Sequence, residues 1–257
     1  MSQARPSSPP CELRVFPHDE EASRAGAVSF AAHARHAIEA RGRFAVALSG
    51  GETPRRMYQM LAEQPIAREV PWERVHLFWG DERGVPPDHP RSNFRMAQEA
   101  LVARVPIPAG NVHRILAELP AGEAAQRYEH ELRAFFGAGD AMPTFDLVHL
   151  GVGDDGHTAS LFPGDPALCE VERAVVATVD RAHGGEGRVT LTLPVINAAR
   201  AVEVLVLEPA KAEVVRRALF GGAGVDELPV AGVAPRGSYA WLLSEAAAAR
   251  LSGDVSR

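Results

Sequence analysis

Only two cysteines, Cys11 and Cys169, occur in the 257 residues, and no Cys-x-x-Cys pair. The fold must therefore be held by its core and not by disulfides, as suits a reducing compartment. Long apolar runs are missing too, so no membrane span is expected. Residues 1–10 are rich in Ser and Pro and lack the apolar stretch of a signal peptide, which points to the cytoplasm. Basic blocks are absent and the net charge is −6, which speaks against a nucleic-acid surface, although a local patch still suffices for a small anion. Lysine is scarcest of all: Lys211 stands alone among 27 basic residues, a compact point charge where Arg is used everywhere else. There is no Gly-x-x-x-x-Gly-Lys-Ser/Thr loop and no Gly-x-Ser-x-Gly elbow. Apolar residues are plentiful, at 46%, ample for one large α/β domain. Residues 1–11 read as a disordered tail and 12–257 as a single domain, with a small sub-lobe around 160–190.

The chain is organised around residues 145–164. Residues 145–150 form an apolar run broken only by Asp146 and His149, which reads as a buried strand ending in a glycine turn. Gly151, Gly153 and Gly156 let the backbone approach a ligand, and Asp154, Asp155 and His157 bring two carboxylates and an imidazole together. Residues 158–162 are expected to make one short helical turn, stopped by Pro163 and Gly164, with His157 near its N-terminus and kept neutral by the helix dipole. Two other readings compete. The letters Gly-x-Gly-x-x-Gly match a dinucleotide fingerprint, but a pyrophosphate would meet two carboxylates, and Pro163 leaves almost no helix to receive it. Alternatively, the Asp side chains simply cap backbone amides in a structural turn.

Two further strands end in the same manner. Residues 44–48 run into Ser49-Gly50-Gly51-Glu52-Thr53-Pro54, with Pro54 opening a helix to Leu61. Such a strand, glycine turn and helix start make an anion cradle suited to phosphate, provided that Glu52 points outward. Residues 75–79 empty into Gly80 and Asp81-Glu82-Arg83, and Ser92 caps a helix from Asn93 through Val102. Charged turns collected at one edge of a parallel sheet mark the place where open α/β sheets bind ligands. Elsewhere the pattern predicts strands over 12–16, 111–115, 174–179, 188–193 and 202–207, with an edge strand over 239–243. Helices are expected over 19–40, 123–136, 194–200 and from Lys211 to about Phe220, with an Ala-rich one from Glu245. Residues 183–187 read as a glycine loop with Arg188 at its mouth. Lys211 falls in a first helical turn, where a cation is disfavoured unless an anion joins it.

Taken in order, Leu48-Ser-Gly-Gly-Glu-Thr-Pro54, Trp79-Gly-Asp-Glu-Arg83 with Val85-Pro86, His89 and Ser92-Asn93, and the run from Gly151 to Gly164 resemble the glucosamine-6-phosphate isomerase/6-phosphogluconolactonase family, on its lactonase side. Arg188-x-Thr-Leu-Thr192, Lys211 and Trp241 continue the order, so the resemblance covers nearly the whole chain from Leu13. Departures fall at Glu52, Glu208 and Ser244. The resemblance implies a modified Rossmann-like layered α/β domain of the sugar-phosphate isomerase/deaminase type, mostly parallel with helices on both faces. It implies hydrolysis of 6-phospho-D-glucono-1,5-lactone to 6-phospho-D-gluconate, the second step of the oxidative pentose phosphate pathway, without metal or organic cofactor. His157 would be the general base, with Asp155 and Asp154 orienting it or holding sugar hydroxyls. Ser49, Gly50, Gly51, Thr53, Asp81, Arg83, Asn93, Arg188 and Lys211 would bind the substrate and its phosphate. A monomer is expected, associated at most weakly with the dehydrogenase that makes the lactone. The rival functions are an amino-sugar phosphate deaminase or isomerase on the same fold, whose motif continues differently after the histidine, and a non-catalytic sugar-phosphate-binding protein.

Overall fold

Phe44–Leu48 (β2) and Ala201–Val206 (β8) are buried at every position, as strands covered on both faces of a parallel sheet must be. The computed structural model describes residues 11–251 apart from 138, 140, 182 and 183. The expected tail, Cys11 aside, lies outside the described residues, as does His183 of the glycine loop. Six strands form the main sheet in the order β1-β9-β8-β5-β2-β3, with every neighbouring pair parallel. The remaining members are Glu12–Phe16 (β1), Val75–Trp79 (β3), Leu147–Leu150 (β5) and Ser238–Ser244 (β9). A second, antiparallel sheet in the order β4-β7-β6 joins Asp81–Arg83 (β4), Val175–Asp180 (β6) and Glu186–Leu191 (β7).

The helices are Asp19–Arg41 (α1), Arg55–Leu61 (α2), Ile66–Glu69 (α3), Asn93–Ala100 (α4), Ala121–Phe136 (α5), Leu193–Ala198 (α6), Ala212–Phe220 (α7) and Glu245–Ala248 (α8). Helix α1 opens on Asp19, Glu20 and Glu21 and closes on Gly42 in the left-handed conformation, whose amide donates to Ile38 O at 2.8 Å. Helices cover both faces of the main sheet. His149, Leu48 and Trp79 lie side by side on one face, and Phe78, one residue earlier, points to the other. The His149 side meets Phe30 of α1 and Tyr58 of α2. Phe78 packs on Phe135 and Phe136 of α5, ring centroids 5.0 and 5.9 Å apart.

Four local expectations need correction. Residues 158–162 make no helical turn: Thr158 and Leu161 form an antiparallel bridge, and Ala159 takes φ +48°. Over 111–115 there is no strand, only a 3-10 turn (Ala109–Asn111) and a single bridge from Val112 to Leu77, because β3 is the last member of the sheet on that side. Strand β9 is internal, since β1 pairs along its outer side and takes the edge. Arg188 sits inside β7, not at its mouth, because the antiparallel pairing with β6 extends back to Glu186. Strands β6 and β7 fall in the region of the expected sub-lobe around 160–190, but the sheet they form takes its third strand, β4, from Asp81–Arg83.

Candidate active site

Buried tyrosines fix the carboxyl ends of β2 and β3. Tyr58 Oη accepts from Ser49 N at 2.9 Å and donates to Ser49 O at 3.0 Å, and Tyr128 Oη does the same for Trp79 at 2.8 and 3.0 Å. The chain leaves both strands at a set angle and enters turns that wall a cleft of about 680 Å³. All twelve candidate residues from the sequence line this cleft. It lies beyond the ends of β2, β3, β5 and β8, where an open sheet leaves room between diverging loops.

The wall after β5 carries the imidazole. His157 Nδ1 lies 2.6 Å from Asp155 Oδ1, and the same oxygen accepts the His157 amide at 3.0 Å. Gly153 N donates to His157 O at 2.8 Å, and a Cβ at Gly153 would stand 2.1 Å from the imidazole, so only glycine lets the turn close on the ring. Burial raises the Asp155 carboxyl, but hydrogen bonds from the His157 ring and amide outweigh it and hold the group at about 2. An ionised carboxylate only accepts, so Nδ1 must carry the proton, leaving Nε2 as the accepting nitrogen. Asp155, not a helix dipole, thus sets the ring's orientation. The amides of Gly153 and Gly156 bond within the turn, to His157 O and to Gly153 O, so neither is free to stabilise an oxyanion. The absence of a following helix also removes the support that a dinucleotide pyrophosphate would need.

The turn after β2 forms a second wall. A Cβ at Gly50 would lie 1.9 Å from Asn93 Oδ1, so here too the backbone passes closer to a side chain than any other residue permits. Asn93 is placed by a buried acidic cluster: its Nδ2 donates to Asp81 O and Oδ1 at 2.9 and 3.2 Å, and its amide donates to Glu82 Oε1 at 2.7 Å. Glu82 also accepts from the Ser92 hydroxyl and from the amides of Arg83 and Phe94. Its carboxyl is pushed up by burial in spite of those amides. Ser160 Oγ donates to Asp81 Oδ2 at 2.6 Å and so turns away from the role of nucleophile. Glu52 points outward, 79% exposed and paired with Arg55 at 2.8 Å.

Three cations face the cleft. Lys211 ends a 3-10 turn and precedes α7; its Nζ donates to Val152 O and lies 3.8 Å from Asp154. Arg83 and Arg188 stand opposite one another across the β4–β7 ladder. Two like charges in that position repel. The structure supplies acidic partners that the sequence reading missed: Asp180 at 2.7 Å and Glu186 at 3.7 Å from Arg188. The cross-strand register reveals Asp180, whereas Glu186 lies two residues before Arg188 on the same face of β7. Thr53 Oγ1 donates to Glu208 Oε1 at 2.5 Å. Also unforeseen is a buried pair below the cleft, His149 and Glu203, 3.6 Å apart on adjacent strands. The signal was present in the sequence, as one ionisable residue in the middle of each of two apolar strands.

The open parallel sheet and the cleft at its carboxyl edge, with an oriented imidazole beside three cations, define an α/β protein of the kind that handles a small anionic metabolite. Comparison sharpens this. The family described as glucosamine-6-phosphate isomerases/6-phosphogluconolactonase matches residues 17–241, and the chain belongs to it. A 6-phosphogluconolactonase of Synechocystis is 43% identical over 217 residues, 84% of this chain and 88% of the relative. The human 6-phosphogluconolactonase is 42% identical over 247 residues, 93% of each chain. Among solved structures, the 6-phosphogluconolactonase from Trypanosoma cruzi superposes with a TM-score of 0.84 at 28% identity, covering 97% of this chain and all of that one. A monomeric glucosamine-6-phosphate deaminase, 19% identical, shares the fold with a TM-score of 0.77 over 93% of this chain and 99% of its own.

Proposed function

We propose that the protein hydrolyses 6-phospho-D-glucono-1,5-lactone to 6-phospho-D-gluconate in the pentose phosphate pathway, with His157 as general base. The observation that carries the mechanism is the 2.6 Å contact between Asp155 and His157 Nδ1, which leaves Nε2 of this cleft-lining ring to accept a proton. His157 takes a proton from water as the water oxygen bonds to the lactone carbonyl carbon. When the tetrahedral oxyanion collapses, the ring C–O bond breaks and the ring oxygen takes that proton back from the imidazole. No covalent nucleophile is needed, in keeping with Ser160 being bonded to Asp81. A δ-lactone is intrinsically reactive, so base catalysis of about 10²–10⁴-fold together with positioning is sufficient.

The phosphate is assigned to the turn of Gly50, Gly51 and Thr53, with Lys211 and Arg83 as its charge partners. Helix α2 has only seven residues, so its dipole contributes little and the side chains carry the attraction. Asp81 and Asn93 back this turn and Arg188 faces the same cleft, and Asp154 stands near Lys211 for sugar hydroxyls. No described helix is long and apolar enough to cross a membrane. The reading extends to a monomer acting in the cytoplasm beside the dehydrogenase that produces the lactone.

The test generates the lactone in situ with glucose-6-phosphate dehydrogenase and follows its loss with wild-type protein and with His157→Ala. Acceleration by the wild type that disappears in the variant is the expected result. If the wild type does not accelerate the loss, the lactonase reading is wrong.

A further inference from the structure

The free protein already holds a carboxylate where the phosphate is expected. Glu208 follows β8 at the carboxyl edge of the sheet, lines the cleft, and accepts the Thr53 hydroxyl at 2.5 Å. The other carboxylate of the neighbourhood, Glu52, turns out to Arg55. Burial raises the Glu208 carboxyl, but the Thr53 hydroxyl and the positive field of Lys211 overcome this and keep it below the ordinary range, hence ionised at neutral pH. A threonine hydroxyl has one proton. While Glu208 accepts it, no phosphate oxygen can.

We propose that Glu208 is a specificity-determining residue that weakens the hold of this cleft on a phosphoryl group by occupying the Thr53 hydroxyl and by keeping a negative charge beside the seat. The inference rests on the phosphate assignment above. When a phosphate enters, Thr53 must release Glu208 to donate to the ligand, or stay with Glu208 and leave the ligand to the backbone and Lys211. In either case a carboxylate remains near a dianion in a half-buried site, where repulsion is screened less than in water. The penalty falls alike on phosphorylated substrate, transition state and product. It therefore raises KM and speeds product release, with little effect on the chemical step.

Inorganic phosphate is the direct probe, titrated calorimetrically into the wild type, Glu208→Gln, Glu208→Ala and Lys211→Ala. The amide of Glu208→Gln keeps an acceptor for Thr53 while removing the charge, and Glu208→Ala removes both. In Glu208→Gln the Kd for phosphate falls about three- to tenfold, the size of one partly screened charge contact. The KM for the phosphorylated lactone falls by a similar factor, whereas that for unphosphorylated D-glucono-1,5-lactone changes less than about twofold. Glu208→Ala binds phosphate at least as tightly as Glu208→Gln. If the wild type binds phosphate, Lys211→Ala weakens it, and both Glu208 variants bind it no better than the wild type, the inference fails and the phosphate seat stands. If neither the wild type nor either Glu208 variant binds phosphate, the seat itself is misassigned, and the inference falls with it.

Discussion

Two acid–histidine pairs line this one cleft, and they are built in opposite ways. Asp155 and His157 sit in a turn two residues apart, in direct contact at 2.6 Å, with both side chains reaching solvent. Glu203 and His149 sit on neighbouring strands, 3.6 Å apart, each at least 95% buried. Neither His149 nitrogen has a hydrogen-bond partner among the described residues, and Glu203 is held instead by Ser29 and by His33, 3.7 Å away. Burial raises the Glu203 carboxyl, yet the two imidazoles and the Ser29 hydroxyl pull it below its usual range. A base needs a locked tautomer on one nitrogen and open access on the other. The turn pair has both. The strand pair sets an acid and an imidazole 3.6 Å apart with no hydrogen bond between them, and helix α1 closes it off from solvent, which suits a structural role.

The widest separation between the pairs is expected in activity. His157→Ala lowers kcat by about 10²–10⁴-fold, measured on enzymatically generated lactone, while His149→Leu leaves the chemical step in place. A His149→Leu loss as large as that of His157→Ala would erase the distinction drawn between them. Stability reverses the ranking. Glu203→Leu leaves the Ser29 hydroxyl and two imidazoles without their acidic neighbour, and His149→Leu leaves a buried carboxylate with Ser29 and His33 alone, each costing about 1–3 kcal/mol in urea unfolding. The double variant recovers most of that loss, because two leucines need no counter-charge. Asp155→Asn and His157→Ala, in a half-exposed turn, shift the unfolding midpoint far less. If the double Leu variant proves no more stable than either single one, the buried pair is not a charge-compensated unit.

Much of this contrast was legible in the sequence, and the reason is local. The turn pair lies within one glycine-rich segment, so its residue types and spacing declare it. Gly50 and Gly153 were readable as sites of close backbone approach, although what they approach, Asn93 and His157, was not. Strand order and register are non-local, and that is where the reading failed. Strand β9 looked like an edge until β1 paired outside it. His149 and Glu203 looked unrelated until β5 and β8 aligned. Asp180 became visible as a counter-charge only once β6 paired with β7. The short helix expected after His157 failed for another reason. A segment expected to turn helically yields to a bridge when a turn residue, here Ala159, adopts a positive φ.

A finer test acts on Asp155 alone. Asp155→Asn keeps the shape of the turn but lets either tautomer of His157 form, lowering kcat about 10–100-fold with KM nearly unchanged. The sign of the pH effect follows from the depressed carboxyl. A group held at about 2 when folded, against about 3.9 when unfolded, contributes stability that is complete above the unfolded value and is lost as pH falls through the folded one. Asp155 is therefore ionised throughout the range in which the enzyme is assayed. Consequently kcat against pH shows no inflection near the ordinary Asp value, and the acid limb belongs to another group. An inflection there in the wild type that vanishes in Asp155→Asn would show that the carboxylate titrates within the working range.

The smallest expected effect lies at Lys211. Lys211 is tied to the Val152 carbonyl and lies 3.8 Å from Asp154, so it joins the turn of His157 to the proposed phosphate seat without touching His157. Lys211→Ala should raise KM for the phosphorylated lactone about tenfold, one charge-assisted contact, and alter kcat by less than about threefold. The split matters because the two walls are joined at Val152. If Lys211 only bound phosphate, kcat would be spared. If it also held the turn in place, kcat would fall together with the rise in KM, and Lys211→Arg, whose planar guanidinium cannot reproduce a point contact to one carbonyl, would restore phosphate affinity without restoring kcat.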